Sequence, residues 1–302
     1  MQPGIMPSTW FVTTSLPWGP ILGISLGLLI NGAVLSWALR KQHLTKHAAI
    51  TAFAMGVSLW MIEPVFFITL LIFFVSSSVL SKLHSSTKKE AQDRVAKGGT
   101  RDVHQVLANG SAGFVAAIIY AVASATSSTS LIPVSAAFSV IAAFAAPNSD
   151  TWSTEIGMLS TTKPRWILDL RRIVEPGTSG GVTRKGTLAA AAGAILVAST
   201  SFLLSSTFGI TSMIDPRYWL AFIIAASVAF LGSLVDSVVG ATVQAVFRCQ
   251  VCGKETEKRV HCSKPTVEVR GLKWLDNDVV NFISSAFAAV STFLIVLVVF
   301  LL

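Results

Sequence analysis

The 302 residues are 52% hydrophobic and only 13% charged, about half the charged share of a soluble domain, which excludes an ordinary water-soluble fold. A net charge of +8 would suit nucleic acid. However, no basic stripe interleaved with aromatics accompanies it, and loops retained on the inner side of a membrane are basic whatever the protein does.

The first 17 residues contain no Lys or Arg, so they lack the basic start of a secretory signal, and the first span is expected to stay in the mature chain. A bilayer core takes about 20 apolar residues per helix. On that measure spans are expected near 20–39, 47–61, 64–81, 105–125, 130–147, 187–209, 217–236 and 279–302. The expected fold is an all-α polytopic transmembrane bundle of about eight spans, one integral-membrane domain over 1–302. Spans two and three are short, with Glu63-Pro64 between them, and proline is a natural helix break. Merging them would give seven spans and move Arg40, Lys41 and Lys46 to the opposite face. Eight spans put both termini on one side and every Lys and Arg except Arg217 on the other, in the stretches 40–46, 82–101, 163–185 and 248–273. The positive-inside rule makes that basic face cytosolic. Trp10, Trp18 and Trp274, near predicted boundaries, read as interface anchors.

Polar segments gather at the basic ends of the spans. In the first, Asp102, Gln105 and Asn109 are spaced 0, 3 and 7, one helical face, and either cap the helix or touch a ligand. In the second, Asp150 and Glu155 suit a hard divalent cation, because Mg²⁺ takes one or two carboxylates plus phosphate oxygens. A separation of five puts them about 140° apart on a regular helix, so they converge only if Asp150 lies at a bend or N-cap after Pro147. The third segment, with Gly177, Thr178, Gly180 and Gly181, leads into a span through Arg184 and Lys185. Glycines let backbone N–H groups converge on an anion, and a helix N-terminus favours it; the spacing is not that of a Walker A loop. Asp236 lies 19 residues beyond Arg217, roughly 28 Å along a helix, and an acid in a membrane helix is a functional candidate by default. Ser233 and Gln244 accompany it. The fifth segment enters the last span through Asp276 and Asp278, which suit capping, and offers Asn281 as a ligand contact.

Cys249, Cys252 and Cys262 fall within 14 residues, in a basic loop over 248–276. With His261 they offer four soft ligands, but C-x2-C-x9-C is half of a full zinc pattern. His261 and Cys262, being adjacent, both ligate only if the backbone turns. The alternative is a set of plain cytosolic thiols.

The strings RDVHQVLANG (101–110), NSDTWSTEIG (148–157), GTSGGVTRKGT (177–187), LGSLVDSVVGATVQ (231–244) and LDNDVVN (275–281) together resemble one family of polytopic membrane proteins. It includes phytyl-phosphate kinase of plants and cyanobacteria and the animal transmembrane protein nineteen. The cysteine loop is more similar to the latter branch, which bears on the phytyl substrate more than on the family. The resemblance implies phosphorylation of an isoprenoid monophosphate to its diphosphate, with CTP the expected donor. Asp150, Glu155 and Asp236 would then hold Mg²⁺ and nucleotide phosphates. The loop with Gly177, Thr178, Gly180, Gly181 and Arg184 would cradle phosphate; Asp102, Gln105, Asn109, Ser233, Gln244 and Asn281 would contact substrate or nucleotide. The implied partners are the lipid phosphate, the nucleoside triphosphate and the bilayer, with no nucleic acid. A lipid or anion transporter and a non-catalytic membrane protein are the other readings of the same motifs.

Overall fold

A computed structural model describes residues 19–82, 99–127 and 129–302; Trp10, Trp18, Lys88, Lys89, Arg94 and Lys97 lie outside them. The described helices are α1 (Gly19–Arg40), α2 (Lys46–Ile62), α3 (Pro64–Lys82), α4 (Val103–Thr126), α5 (Leu131–Gly157), α6 (Arg184–Thr207), α7 (Pro216–Thr242) and α8 (Asn277–Leu301). All but α2 are long and apolar enough to cross a membrane. Helix α2 has 17 residues, about 25 Å against a hydrocarbon core of about 30 Å.

Hydrogen bonds show that α2 and α3 form a separate down-and-up pair. Thr45 N donates to Arg101 O at 3.0 Å and Arg101 N to His43 O at 2.9 Å, while Lys82 Nζ and Thr100 Oγ1 both reach Gln42 O. The end of α1, the start of α2, the end of α3 and the start of α4 therefore meet at one end of the bundle. The break falls at Glu63, whose N–H still donates to Leu59 O while Pro64 opens α3. The described basic stretches thus gather at a single end.

Helix α5 is the axis of the bundle. Residues 134–149 are buried without a break, and the helix packs against α3, α4, α6, α7 and α8. Small side chains permit this: Ala136, Ala142, Ala143, Ala145 and Ala146 are wholly buried and let neighbouring backbones come close. The fifth span was expected to end at 147, but α5 continues through Pro147 to Gly157. Proline is tolerated in a membrane helix where neighbours and side chains bind the surrounding backbone. Here Thr151 Oγ1 donates to Pro147 O at 2.8 Å. The residues that follow are tied to α6, with Asn148 Nδ2 donating to Gly193 O and Ser149 Oγ to Ala190 O, both at 2.8 Å. Asn148 Oδ1 also accepts from Ser76 and Ser77 of α3, so one amide joins three helices. Where α5 crosses the start of α6, a Cβ on Gly186 would sit 2.8 Å from Ser153 O, so only glycine fits.

At the basic end the helical bundle carries short strands that the all-helical expectation did not include. Strands β1 (Arg165–Trp166), β2 (Asp169–Ile173) and β3 (Gly181–Val182) make one antiparallel sheet in the order β2-β1-β3. After α7, β4 (Val246–Arg248), β5 (Glu255–Thr256) and β8 (Val267–Arg270) form a second, and β6 (Val260–His261) and β7 (Lys264–Pro265) a hairpin. Arg270 pins this lobe to the membrane body: its guanidinium donates to Ala241 O and, at 3.2 Å, to Gly240 O. Both carbonyls belong to the last turn of α7, which has no helical donors of its own to meet.

Candidate functional site: an acidic cleft at the basic end

The end of α5, the end of α7, the start of α8 and the two loops between them enclose a cleft of about 940 Å³, open mouth included. Asp150 and Asp236 face it from the two helices, and Gly177, Thr178, Gly180 and Gly181 form one wall. Gln244 closes the floor with Glu257 of the strand lobe, and Asn277 contributes from α8.

Asp236 is the pivot. Its Oδ2 is buried with no hydrogen-bond partner among the described residues, a state that costs several kcal/mol for a charged oxygen unless a cation or proton meets it. Asp150 and Glu257 lie close enough to act on it electrostatically. Glu257 is oriented from two sides: Ser179 Oγ donates to its Oε1 at 2.8 Å and Gln244 Nε2 at 2.9 Å. No Lys or Arg lines the cleft among the described residues. Three carboxylates without a cation would repel a bare polyphosphate and suit one that arrives with a divalent metal. The donor atoms are oxygens, one of them an orphaned carboxylate atom, which is the chemistry Mg²⁺ takes. The three carboxylates are not drawn together as tightly as the cysteine–histidine group of the strand lobe, so phosphate oxygens would have to supply most of the shell.

The glycine wall needs its glycines. Gly180 has φ +82°, a left-handed conformation, and an added Cβ would collide with Ala241 Cβ and lie 2.8 Å from Ala241 Cα. The loop therefore packs directly on the end of α7, one turn beyond Asp236. Gly177 also has positive φ, 82°.

Several expected residues sit elsewhere. Glu155 does not line the cleft, because α5 remains a regular helix through 157 and no bend turns it towards Asp150. It faces Arg101 instead. Burial pulls the Arg101 guanidinium down to about 10, still charged at neutral pH, and the Glu155 carboxylate opposes the shift. Arg184, expected to cradle phosphate, is exposed on the first turn of α6 and does not line the cleft. Asp102 and Gln105 form a reciprocal capping box on α4, with Gln105 N donating to Asp102 Oδ1 at 3.0 Å and Asp102 N to Gln105 Oε1 at 3.1 Å. Ser233 is buried and accepts from Ser149 Oγ at 3.1 Å, joining α7 to α5. Asn281 is buried one turn below Asn277.

Gln105 and Asn109 also border a second, narrow pocket between α1, α2, α3 and α4, about 630 Å³ with its open mouth included. Its walls are almost wholly apolar, among them Leu35, Met55, Phe67 and Leu71, and Arg101 is one of the few polar residues that line it. The guanidinium rests on the faces of Phe73 and Phe74, 5.3 and 5.6 Å from their centroids. Sequence reasoning did not single out Glu257, Ser179 or Asn277 as residues of the cleft, nor Arg101 as a residue bordering the apolar pocket. Glu257 had no local mark, since Glu255 two residues earlier looks the same and points out to Arg248 at 3.2 Å.

Comparison with known proteins agrees with a membrane family. Residues 29–289 match the family model described as integral membrane protein DUF92. The chain is similar to Protein PGR of Arabidopsis thaliana, 35% identical over 224 residues, 71% of this chain and 76% of the relative. Protein VTE6, chloroplastic, of the same plant is 28% identical over 261 residues, 85% of this chain and 66% of the relative. An uncharacterized membrane protein of Methanocaldococcus jannaschii is 33% identical over 177 residues, 58% and 64% of the two chains. The chain thus spans just under two thirds of the length of the last two. No solved structure matches it. With a helical membrane bundle, ordered motifs at one end and a family match over most of its length, the chain belongs to the DUF92 family of integral membrane proteins, the polytopic family that its motif strings resemble.

Proposed function

We propose that this protein is a membrane-embedded phosphotransferase that moves the γ-phosphoryl group of a nucleoside triphosphate, CTP by family expectation, onto an isoprenoid monophosphate. The observation that carries this reading is the acidic, cation-free cleft around the orphaned Asp236 oxygen, next to a bundle that also holds an apolar slot with Arg101 among the few polar residues that line it. Similarity to a family resembling phytyl-phosphate kinase supports the same reaction.

Asp236, Asp150 and Glu257 would hold Mg²⁺, which when bound neutralises charge on the transferring group. The bond from the γ-phosphorus to the β,γ-bridging oxygen would break, that oxygen and the electron pair leaving with the nucleoside diphosphate. An oxygen of the acceptor monophosphate would form the new bond to the γ-phosphorus. That acceptor oxygen is already anionic, so the chain needs no strong general base. The protein's work is positioning and electrostatics. The 177–181 loop would bound the donor phosphates, and Ser179 and Gln244 would keep Glu257 aimed at the metal. The isoprenoid tail would occupy the slot between α1 and α4, with Arg101 and Asn109 near its phosphate. By the positive-inside rule this face would be cytosolic.

The test uses the full chain in detergent with Mg²⁺, γ-labelled CTP or ATP, and phytyl, geranylgeranyl and farnesyl monophosphates. Labelled diphosphate from the parent is expected, with turnover about 100-fold or more lower in Asp236→Asn. Unchanged turnover in that variant would remove Asp236 from the mechanism. No product with any donor and acceptor, together with no nucleotide binding, would refute the phosphotransferase.

A further inference from the structure

The strand lobe between α7 and α8 contains a cluster that the phosphotransferase reading does not use. Cys249 and Cys252 lie on the β4–β5 hairpin, and His261 and Cys262 on the β6–β7 hairpin. One ligand atom from each of the four lies within 4.8 Å of the others, the sole such group of metal-ligating side chains among the described residues. His261 Nδ1 is 3.6 Å from Cys252 Sγ and 3.3 Å from Cys262 Sγ.

Those spacings can be tested against a metal. Zinc–sulfur bonds of about 2.3 Å and zinc–nitrogen bonds of about 2.0 Å in a tetrahedron put ligand atoms about 3.5 to 3.8 Å apart. The sulfur–nitrogen distances fall close to that edge. The backbone also meets the condition set by two adjacent ligands. Cys262 has φ 51° and Ser263 φ 58°, so the chain reverses sharply right after His261 and brings both side chains to one point. The first hairpin is shaped in the same way. Gly253, at φ 72°, closes the turn with its N–H on Cys249 O at 3.0 Å, and Val251 N–H donates to Cys249 Sγ at 3.4 Å. An amide aimed at sulfur favours the thiolate that a metal requires.

We infer that Cys249, Cys252, His261 and Cys262 form a closed structural zinc site that staples the two hairpins together. Four protein ligands leave no open position, which marks a structural rather than a catalytic zinc. The lobe needs such a staple: β6 and β7 pair over two residues each, and a hairpin that small is not stable by itself. The C-x2-C and His-Cys halves bracket residues 253–260. That segment carries Glu257 back to the acidic cleft, so the metal would fix the loop at both ends. The zinc assignment stands on the cluster alone and does not depend on the reaction; only its effect on Glu257 does.

The experiment uses the full chain, purified in detergent through a tag without histidines. Bound zinc is measured by elemental mass spectrometry, and thiol reactivity by maleimide labelling before and after a strong chelator. About one zinc per chain is expected, with thiols slow to label until the chelator is added. Cys252→Ser, at an exposed position, should lose most of the zinc yet elute as the parent does on size exclusion. If that variant aggregates, the chelator arm on the parent still decides. A parent without zinc and with thiols that label at once, a Cys249–Cys252 disulfide, or zinc retained at parent level in Cys252→Ser would each overturn the site.

Discussion

At the scale of single residues, Asp236 and Arg101 divide the proposed chemistry between them. Asp236 sits six residues before the end of α7 with one oxygen buried and unmatched among the described residues, so its proposed role is electrostatic and its loss should strike turnover. Arg101 is packed on two phenylalanines in the lining of the apolar slot, so its loss should strike acceptor binding. Arg101→Gln is expected to raise KM for the lipid phosphate about 10-fold or more and to leave KM for the nucleotide unchanged. Steady-state kinetics with each substrate varied separately measures the split; a loss confined to kcat would contradict the assignment. Gly180 makes a stability prediction instead. Gly180→Ala combines a left-handed φ with a collision against Ala241 and should cost about 1–3 kcal/mol, read as a lower thermal midpoint in detergent. Glycine at this position is a packing requirement of the cleft wall as much as a feature of a phosphate loop.

At the scale of elements, two devices hold the site in place. One is the polar joint inside the bundle, where Asn148 binds Ser76 and Ser77 of α3 and Gly193 of α6. Hydrogen bonds between membrane helices average well under 1 kcal/mol each but leave buried partners behind when broken. Asn148→Leu should therefore destabilise the bundle by about 1–3 kcal/mol, and a thermal unfolding series that includes Ser76→Ala and Ser77→Ala would show whether the three act as one unit. The other is the strand lobe, which reaches the cleft through Glu257 and is tied to α7 by Arg270. Glu257→Gln removes a carboxylate and keeps both hydrogen bonds to Oε1 feasible. It should raise the Mg²⁺ concentration for half-maximal activity about 10-fold without lowering the thermal midpoint. A fall in stability with no change in Mg²⁺ dependence would make Glu257 a structural residue only.

At the scale of the whole molecule, the described loops with basic residues all sit at one end, and the far end carries Arg217, paired to Asp215 at 2.8 Å. The eight-helix alternation predicts opposite accessibility for the two ends. In sealed vesicles, a cysteine placed at Thr162 should label from the same side as one placed at Lys41, while a tag after Leu302 should be protected there. Labelling of the Lys41 and Thr162 positions from opposite sides would mean that α2 and α3 do not form a full down-and-up pair. A short α2 is compatible with the pair because its partner α3 and the buried Trp60, which donates to Gly23 O of α1, hold it in the bundle.

The sequence by itself determined the class, the order of the eight described helices and the end at which the polar segments gather. Long apolar runs and segregated charge are one-dimensional signals, and the bilayer imposes them residue by residue. It also marked Asp236, Asp150 and the glycine loop, because an acid in an apolar run or a glycine cluster stands out locally. Only the tertiary structure decided which marked residues share a cleft. Glu155 and Asp150 are five residues apart on one regular helix, and that rotation, invisible until the helix was known to pass unbroken through Pro147, sends one to Arg101 and the other to Asp236. Glu257 enters from a loop over 100 residues away in sequence from Asp150, held by hydrogen bonds that no spacing reports. His261 and Cys262 converge because two residues take left-handed backbone angles, a choice made by the folded hairpin and not by the pattern of its letters.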